Sequence, residues 1–139
     1  MVADVDTTLV KLVVGGVIGA HGIGHVLGWM PAWGIARFEG MSSHSWLLSG
    51  MLGEGMAKLG AGVLFVLPTI GFVAAAAGLL TGQPWWRQVA VGSAAVSLAC
   101  TALYPQALPM GSTIGAVAVD LAVLYAVVVA NWDPTGASV

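Results

Sequence analysis

Four long apolar stretches, separated by short polar segments, decide what this chain can fold into. Of its 139 residues, 58% are hydrophobic and only 7% are charged, whereas a soluble domain carries about 25% charged residues. A helix of about 20 apolar residues crosses the ~30 Å hydrocarbon core of a bilayer, so four such stretches use more than half of the chain. The sequence therefore predicts an all-α protein that forms an integral membrane four-helix bundle.

The boundaries of the apolar stretches predict one domain over residues 1–139, with short connections between the spans. We expect spans at about 8–30, 55–81, 85–104 and 109–131, with a first loop at 31–46. Tryptophan concentrates at the two membrane interfaces, and all six tryptophans fall where this layout places an interface. Trp29, Trp33 and Trp46 would lie at one interface, and Trp85, Trp86 and Trp132 at the other. The tryptophans thus support the number of spans independently of hydropathy.

The few basic residues bear on orientation. Lys11 and Arg87 lie on the side of both termini, while Arg37 and Lys58 lie on the opposite side. The positive-inside count therefore barely separates the two orientations. We expect a multi-pass protein with both termini in the cytoplasm.

Charge and cysteine content exclude several classes of partner and chemistry. The net charge is −2 and the chain has no basic run, which excludes a nucleic-acid partner. Cys100 is the single cysteine, so an internal disulfide and a CxxC redox motif are excluded. Asp4 and Asp6 precede the first apolar stretch where a secretory signal would be positive, so this stretch is predicted to be a retained span.

Ionisable side chains inside a span mark candidate functional sites, because each costs about 2.5–3.5 kcal/mol at a helix centre on insertion scales. His21 and His25, four residues apart, share one face of the first span. Asp120 lies near the middle of the fourth span among Ala, Val and Leu. A carboxyl in such surroundings becomes neutral or finds a partner, and His21 is the expected partner. We predict that His21, His25 and Asp120 are catalytic, with Asp120 as base and a histidine as acid.

Other polar residues extend the candidate site towards the first loop. Glu54 and Lys58 are four residues apart at the start of the second span. Ser97 belongs to a serine and threonine stripe on the third span, and Tyr104 follows this stripe. We predict Glu54 as a fourth catalytic residue that serves the opposite end of a substrate. The predicted substrate-binding residues are Lys58, Tyr104, Ser97 and Trp29.

Each candidate also has a structural alternative. The two histidines can bond to backbone or to a hydroxyl of a neighbouring helix. A metal or haem site would need further ligands, and the third histidine, His44, lies in a loop, so we expect neither a metal nor a cofactor. Glu54 and Lys58 can form an interfacial ion pair worth ~0.5 kcal/mol, and the hydroxyl stripe can serve helix packing. Of these candidates, Asp120 is the residue that a purely structural role explains least well.

Three classes of function fit these residues. The first is a cofactor-independent isomerase or hydrolase that performs acid–base chemistry on a lipophilic small molecule in a pocket between the helices. Isomerisation, epoxide opening or hydrolysis, and cyclisation all fit. The second is an oligomeric transporter or proton relay, and the third is a non-catalytic subunit of a membrane complex. An enzyme predicts an enclosed pocket, a transporter a route open to water on both sides, and a subunit polar residues that face outward.

Small residues recur every four positions on the first span. Gly16, Ala20, Gly24 and Gly28 form this row. Such a row allows another helix to approach closely in a membrane. It therefore provides a possible interface with a second copy of the chain, besides the contact with the lipid bilayer.

The span layout and the HGIGH segment at 21–25 resemble small four-span membrane families, the DoxX-like proteins and the EXPERA-type sterol isomerases. EXPERA-type proteins are similar in keeping His, Glu and Trp inside a bundle of four or five helices. The resemblance implies an enzyme that acts on a lipophilic substrate. It covers the layout and this one segment, and no residue role is carried over from either family.

Overall fold

The computed structural model describes the backbone of residues 2–134 and the side chains of residues 7–134. It is 74% helical, and the described part contains no strand. The predicted all-α class is thereby confirmed. The helices are α1 Val2–Gly24, α2 Val26–Ala32, α3 Leu48–Leu52, α4 Glu54–Leu80, α5 Trp86–Leu103 and α6 Met110–Leu124, and a π-helical turn, Tyr125–Val129, extends α6.

Three helical segments are long and apolar enough to cross a membrane. They are Thr7–Ala32, Glu54–Leu80 and Met110–Val129. The surface of these segments is itself apolar: Ile23, Ile70 and Ile114 are 61%, 63% and 64% exposed. The predicted third span, α5, is not among the three, because Arg87 and Gln88 at its start lower its hydropathy.

Helix α4 is the central element of the fold. It packs against α1, α2 and α3 and also against α5, and α6 packs against α5. Glycines set the close approach of the first two helices to α4. A Cβ added at Gly22 would lie 2.8 Å from Phe72 Cβ and 3.1 Å from the Thr69 carbonyl oxygen, and one at Gly28 would clash with the Phe65 ring. Backbones can approach this closely only where no side chain intervenes.

The predicted row of small residues is divided between two environments. A Cβ at Gly16 or Gly24 would meet nothing within 4 Å, and Ala20 is exposed, whereas Gly28 is buried against Phe65. Four residues overshoot the 3.6-residue helical turn, so a row at this spacing drifts around the helix. The surface facing away from α4 therefore keeps Gly16, Ala20 and Gly24, and the surface that packs on α4 uses Gly15, Gly19 and Gly22.

Pro68 lies inside α4, and the helix continues through it. Proline lacks an N–H group, so the carbonyl of the residue four positions earlier loses its helical partner. That residue is Leu64, and the Cys100 thiol of α5 donates to its carbonyl oxygen at 3.1 Å. The single cysteine thus satisfies the acceptor that the proline leaves free, and it joins α5 to α4 at the same point.

Arg87 fixes the end of α6. Its guanidinium donates to the Val127 carbonyl oxygen at 3.1 Å and to the Asn131 side-chain oxygen, and it lies 3.5 Å from the Asp133 carboxylate. The last four carbonyl groups of a helix have no partner within it, and that of Val127 is one of them. Arg87 therefore anchors the last turn of the fourth long segment to the start of α5.

Candidate active site

His21 and Asp120 form a hydrogen-bonded pair between α1 and α6. His21 Nε2 lies 2.8 Å from Asp120 Oδ1. The Asp120 side chain is fully buried and that of His21 is 8% exposed. The structure thus pairs Asp120 with the partner expected from the sequence. With the carboxyl ionised and the imidazole neutral, His21 Nε2–H is the donor, and the lone pair of the ring is on Nδ1.

The second carboxylate oxygen of Asp120 is also buried. Oδ2 has no hydrogen-bond partner among the residues that the structure describes. A buried acceptor without a donor costs free energy. Asp120 therefore keeps one unsatisfied acceptor inside the protein.

His25 is held by two hydrogen bonds that fix its tautomer. Its Nδ1 lies 2.9 Å from the His21 carbonyl oxygen, and its Nε2 lies 2.7 Å from Ser97 Oγ. A carbonyl only accepts, so Nδ1 carries the proton and Nε2 accepts from the Ser97 hydroxyl. Both nitrogens of this buried ring are therefore occupied.

The same contact interrupts the first long helical segment. In a regular helix the His21 carbonyl would accept from the backbone N–H of His25. Here the His25 side chain takes that carbonyl, and the His25 backbone N–H turns to the Gly22 carbonyl at 3.2 Å. Competition of this kind between side chain and backbone bends or ends helices. It separates α1 from α2 next to the histidine pair.

His21 Nδ1 is the ring nitrogen that the fold leaves available, since no hydrogen bond to it occurs among the described residues. The ring is oriented by aromatic contacts. Its centroid lies 4.6 Å from that of Phe72 and 4.8 Å from that of His25, edge to face in both cases. His21 is consequently the histidine able to act on a bound molecule, while His25 positions the segment that carries it.

A groove of about 400 Å³ between α1 and α6 adjoins the pair. Cavities of this size hold small molecules. His21, His25 and Ser112 are its polar side chains, and the remaining wall is apolar or glycine. Gly24 on α1 and Gly115 on α6 widen it, since a Cβ at either position would meet no atom within 4 Å. Asp120 is behind this wall, so His21 contacts the groove and Asp120 supports it.

Glu54 and Lys58 lie far from the histidine pair. His21 packs on Phe72, and the 18 residues of α4 from Glu54 to Phe72 correspond to about 27 Å. Glu54 is exposed and bonds instead to His44 Nδ1 at 2.7 Å and to Ser49 Oγ at 3.2 Å. The structure therefore does not bring Glu54 and Lys58 next to His21 and Asp120, and a role for them at the opposite end of a substrate stays a prediction.

Lys58 is exposed in a separate cleft at the loop end of the molecule. Arg37 and Trp33 line the same cleft. This cleft shares no wall residue with the groove beside His21.

Two of the predicted substrate-binding residues are packing residues. Tyr104 is buried, and its hydroxyl donates to the Ala57 carbonyl oxygen at 2.8 Å, which anchors the end of α5 to α4. The Trp29 ring lies 5.6 Å from that of Trp33. Neither side chain lines the groove. Ser97, a third predicted substrate-binding residue, is fully buried, and its hydroxyl donates to His25 Nε2.

Sequence reasoning missed the α6 wall of the groove. Ser112 and Ala116 precede Asp120 by eight and four residues, a spacing that places all three on one helix face. This spacing is visible in the sequence, but small residues such as Ser112 and Ala116 carry no chemical signal of their own. In the stripe on α5, Ser93 and Thr101 bond to carbonyls of their own helix, and Ser97 bridges to another helix.

Comparison with protein-family models, with curated proteins and with solved structures finds no match for this chain. Among residues 7–134, no group of three or more His, Cys, Asp or Glu side chains is arranged to hold a metal ion. The geometry of the His21–Asp120 pair and its groove is therefore the basis on which a function can be inferred.

Proposed function

We propose that this chain is an integral membrane protein of four spans, with both termini on the cytoplasmic side. Three segments have the required length and apolarity. The fourth span would be α5, whose 18 residues correspond to about 27 Å and which packs against both α4 and α6. The turns that connect α5 to its neighbours are short, so consecutive spans would run in opposite directions as a four-helix bundle.

We further propose that the protein is a membrane-embedded enzyme that performs acid–base chemistry on a lipophilic small molecule without a cofactor. The observation that carries this proposal is the buried Asp120–His21 hydrogen bond, which leaves His21 Nδ1 without a partner at the wall of a groove. A histidine that has one ring nitrogen bonded to a carboxylate and the other nitrogen free is suited to act as a general base.

In the proposed mechanism His21 is the base instead of Asp120, because His21 contacts the groove and Asp120 does not. Its Nδ1 removes a proton from a carbon next to a double bond of the bound molecule, and Asp120 stabilises the imidazolium that results. The electron pair of the broken C–H bond delocalises over the three-carbon allyl unit. The Nδ1 proton exchanges with water, and the same nitrogen then protonates the far carbon of this unit, which completes a double-bond isomerisation. Epoxide opening would need an acid and a base on opposite sides of the substrate. Because the groove presents one available ring nitrogen, isomerisation is the favoured member of the three reactions predicted from the sequence.

The groove also bears on the two alternative functions. A proton relay would need polar groups that continue from His21 towards both ends of the molecule. Towards the end that holds the termini, the next cavity is lined by Val, Ile, Ala and Trp. An assembly subunit would present Asp120 outward, but this side chain is fully buried. Both observations count against the two alternatives. The groove opens along its side and is not the enclosed pocket that the sequence analysis expected of an enzyme.

A second copy of the chain remains a proposed partner through Gly16, Ala20 and Gly24, which face away from α4. Ala20 and Gly24 also line the groove. A helix docked on them would cover the opening, so dimerisation at this surface and entry of a molecule from the bilayer exclude each other. The enzyme proposal therefore requires that the working form leaves this surface uncovered.

Proton exchange with heavy water tests the enzyme. The protein would be reconstituted with a total lipid extract in D2O, and the lipids analysed by mass spectrometry for deuterium bound to carbon. We expect one compound to gain deuterium with the wild type and with the Ser93→Ala control. His21→Ala and Asp120→Asn should abolish the gain, with helicity retained by circular dichroism. Equal exchange in all four proteins, or none with the wild type, would contradict the proposal.

A further inference from the structure

The groove beside His21 adjoins a second cavity of about 240 Å³, which is also between α1 and the α6 segment. The two cavities share Val17 and Val119 as wall residues. Together they are called the slot, which follows the two helices and has the histidines in one half. Among the described residues, the second half is lined only by Val, Ile, Ala and Trp side chains.

The apolar half ends at two tryptophans. Trp86 of α5 is buried and Trp132 follows the π-helical turn. The Trp132 backbone N–H donates to the Ala126 carbonyl at 2.8 Å, and the Arg87 contacts described above hold the same segment. From His21 to Val13, the slot follows eight residues of α1, about 12 Å. This half consequently has a fixed end and a limited length.

The shape of the slot restricts what can fill it. Cα atoms of α1 and α6 approach within 8 Å of each other, and a helix with its side chains is about 10–12 Å wide. The helix of a second copy therefore cannot enter between them. A hydrocarbon chain can, and the Val, Ile and Ala side chains of the wall offer no hydrogen bond to a polar group on it.

We propose that the substrate is a single-chain lipid whose hydrocarbon tail occupies the cavity between Val17 and Trp132 and whose reactive carbon lies at His21. The proposal rests on the proposed acid–base function for the position of the reactive carbon. The tail site itself can be tested without turnover. A tail longer than the apolar half would meet the tryptophans, so the site is expected to select chain length.

Ala122 and Ala118 provide a matched pair of variants. Both are exposed alanines on α6, but Ala122 lines the apolar cavity and Ala118 lines neither cavity. Ala122→Leu would fill part of the tail site, whereas Ala118→Leu would add the same volume outside it. A difference of one methylene in an apolar pocket changes binding by about 10-fold or more. Ala122→Leu should therefore weaken the binding of the hydrocarbon tail strongly.

The experiment is competition among straight-chain primary alcohols, from octanol to octadecanol, for the purified full chain, read by native mass spectrometry. We expect the wild type and Ala118→Leu to retain one preferred length. Ala122→Leu should prefer shorter alcohols and retain the wild-type favourite about 10-fold less. Saturated alcohols undergo no proton transfer at carbon, so this outcome is independent of the exchange assay. Tail selection without deuterium exchange would leave the tail site standing and refute the enzyme.

Several results would overturn the tail site. One is retention without preference for length, and another is an equal effect of the two leucine variants. A third is an absence of retained alcohol. A co-purified phospholipid that the alcohols fail to displace would identify ordinary membrane lipid as the occupant. A dimer that Ala122→Leu dissociates would identify a second copy.

Discussion

At the scale of single residues, the two histidines share one helix face but have different hydrogen-bond partners. His25 uses both ring nitrogens inside the protein, whereas His21 uses one. The difference comes from the neighbours: Ser97 and a backbone carbonyl surround one ring, and Asp120 meets the other. Opposite tautomers follow from this arrangement, since a carboxylate and a carbonyl both require a donor.

Nitrogen-15 NMR of histidine-labelled protein checks these tautomers. We expect His21 to carry its proton on Nε2 and His25 on Nδ1. In Asp120→Ala the acceptor of His21 is gone, so His21 should become a mixture of tautomers while His25 stays unchanged as an internal control of the fold. A wild-type His21 protonated on Nδ1, or no change in Asp120→Ala, would contradict the assignment.

At the scale of the element, α1 has two faces that use glycine for opposite purposes. Towards α4, Gly22 allows contact between backbones, and an added Cβ there would meet the Phe72 Cβ and two α4 backbone atoms. Towards the groove, Gly24 leaves space that no atom of the described residues fills. Gly22 and Gly24 are only two positions apart. A glycine-to-alanine substitution therefore tests a packed position at Gly22 and an open position at Gly24.

Alanine at the two positions should therefore have opposite effects on stability. Gly22→Ala forces α1 away from α4 and should destabilise the protein by about 1–3 kcal/mol, the cost of overpacking. Gly24→Ala meets nothing and should stabilise α1 by up to ~1 kcal/mol, the difference in helix propensity. Thermal unfolding in detergent, followed by circular dichroism, measures both. Equal shifts in the midpoint would show that α1 does not pack on α4 as described.

Several parts of the site were within reach of the sequence, and others were not. Depth along a span follows from residue number, which is why His21 and Asp120 could be paired. Rotation about a helix axis does not, because the apolar residues of a membrane-type helix face both lipid and protein. The row at Gly16 was consequently assigned one environment instead of two. Glu54 is a different case, because its distance from the pair lies along the helix axis and its partners His44 and Ser49 come from the loop and α3. The link from Cys100 to the carbonyl freed by Pro68 depends on helix register, which no local pattern specifies.

At the scale of the whole molecule, the proposed four spans predict which side of the membrane each loop faces. Gln83 is exposed in the turn between α4 and α5, and Glu39 is exposed in the first loop. In the proposed bundle these two positions lie on opposite sides of the membrane, with Gln83 on the side of the termini.

Cysteine labelling tests this topology. Starting from Cys100→Ala, single-cysteine variants Gln83→Cys and Glu39→Cys would be expressed in intact cells and treated with a membrane-impermeant maleimide. We expect Glu39→Cys to react from outside and Gln83→Cys to react only after the membrane is opened. Reaction of both from outside would refute the four spans, and the reverse pattern would invert the orientation.

The slot between α1 and α6 opens along the sides of two membrane-type helices instead of at their ends. If the chain works in a bilayer as proposed, its substrate arrives by lateral diffusion, and the quantity that sets occupancy is mole fraction in the lipid. Adding detergent or inert lipid at a constant amount of substrate would then slow the reaction by surface dilution, although the bulk concentration is unchanged. Michaelis constants for such a protein have meaning only when expressed per lipid.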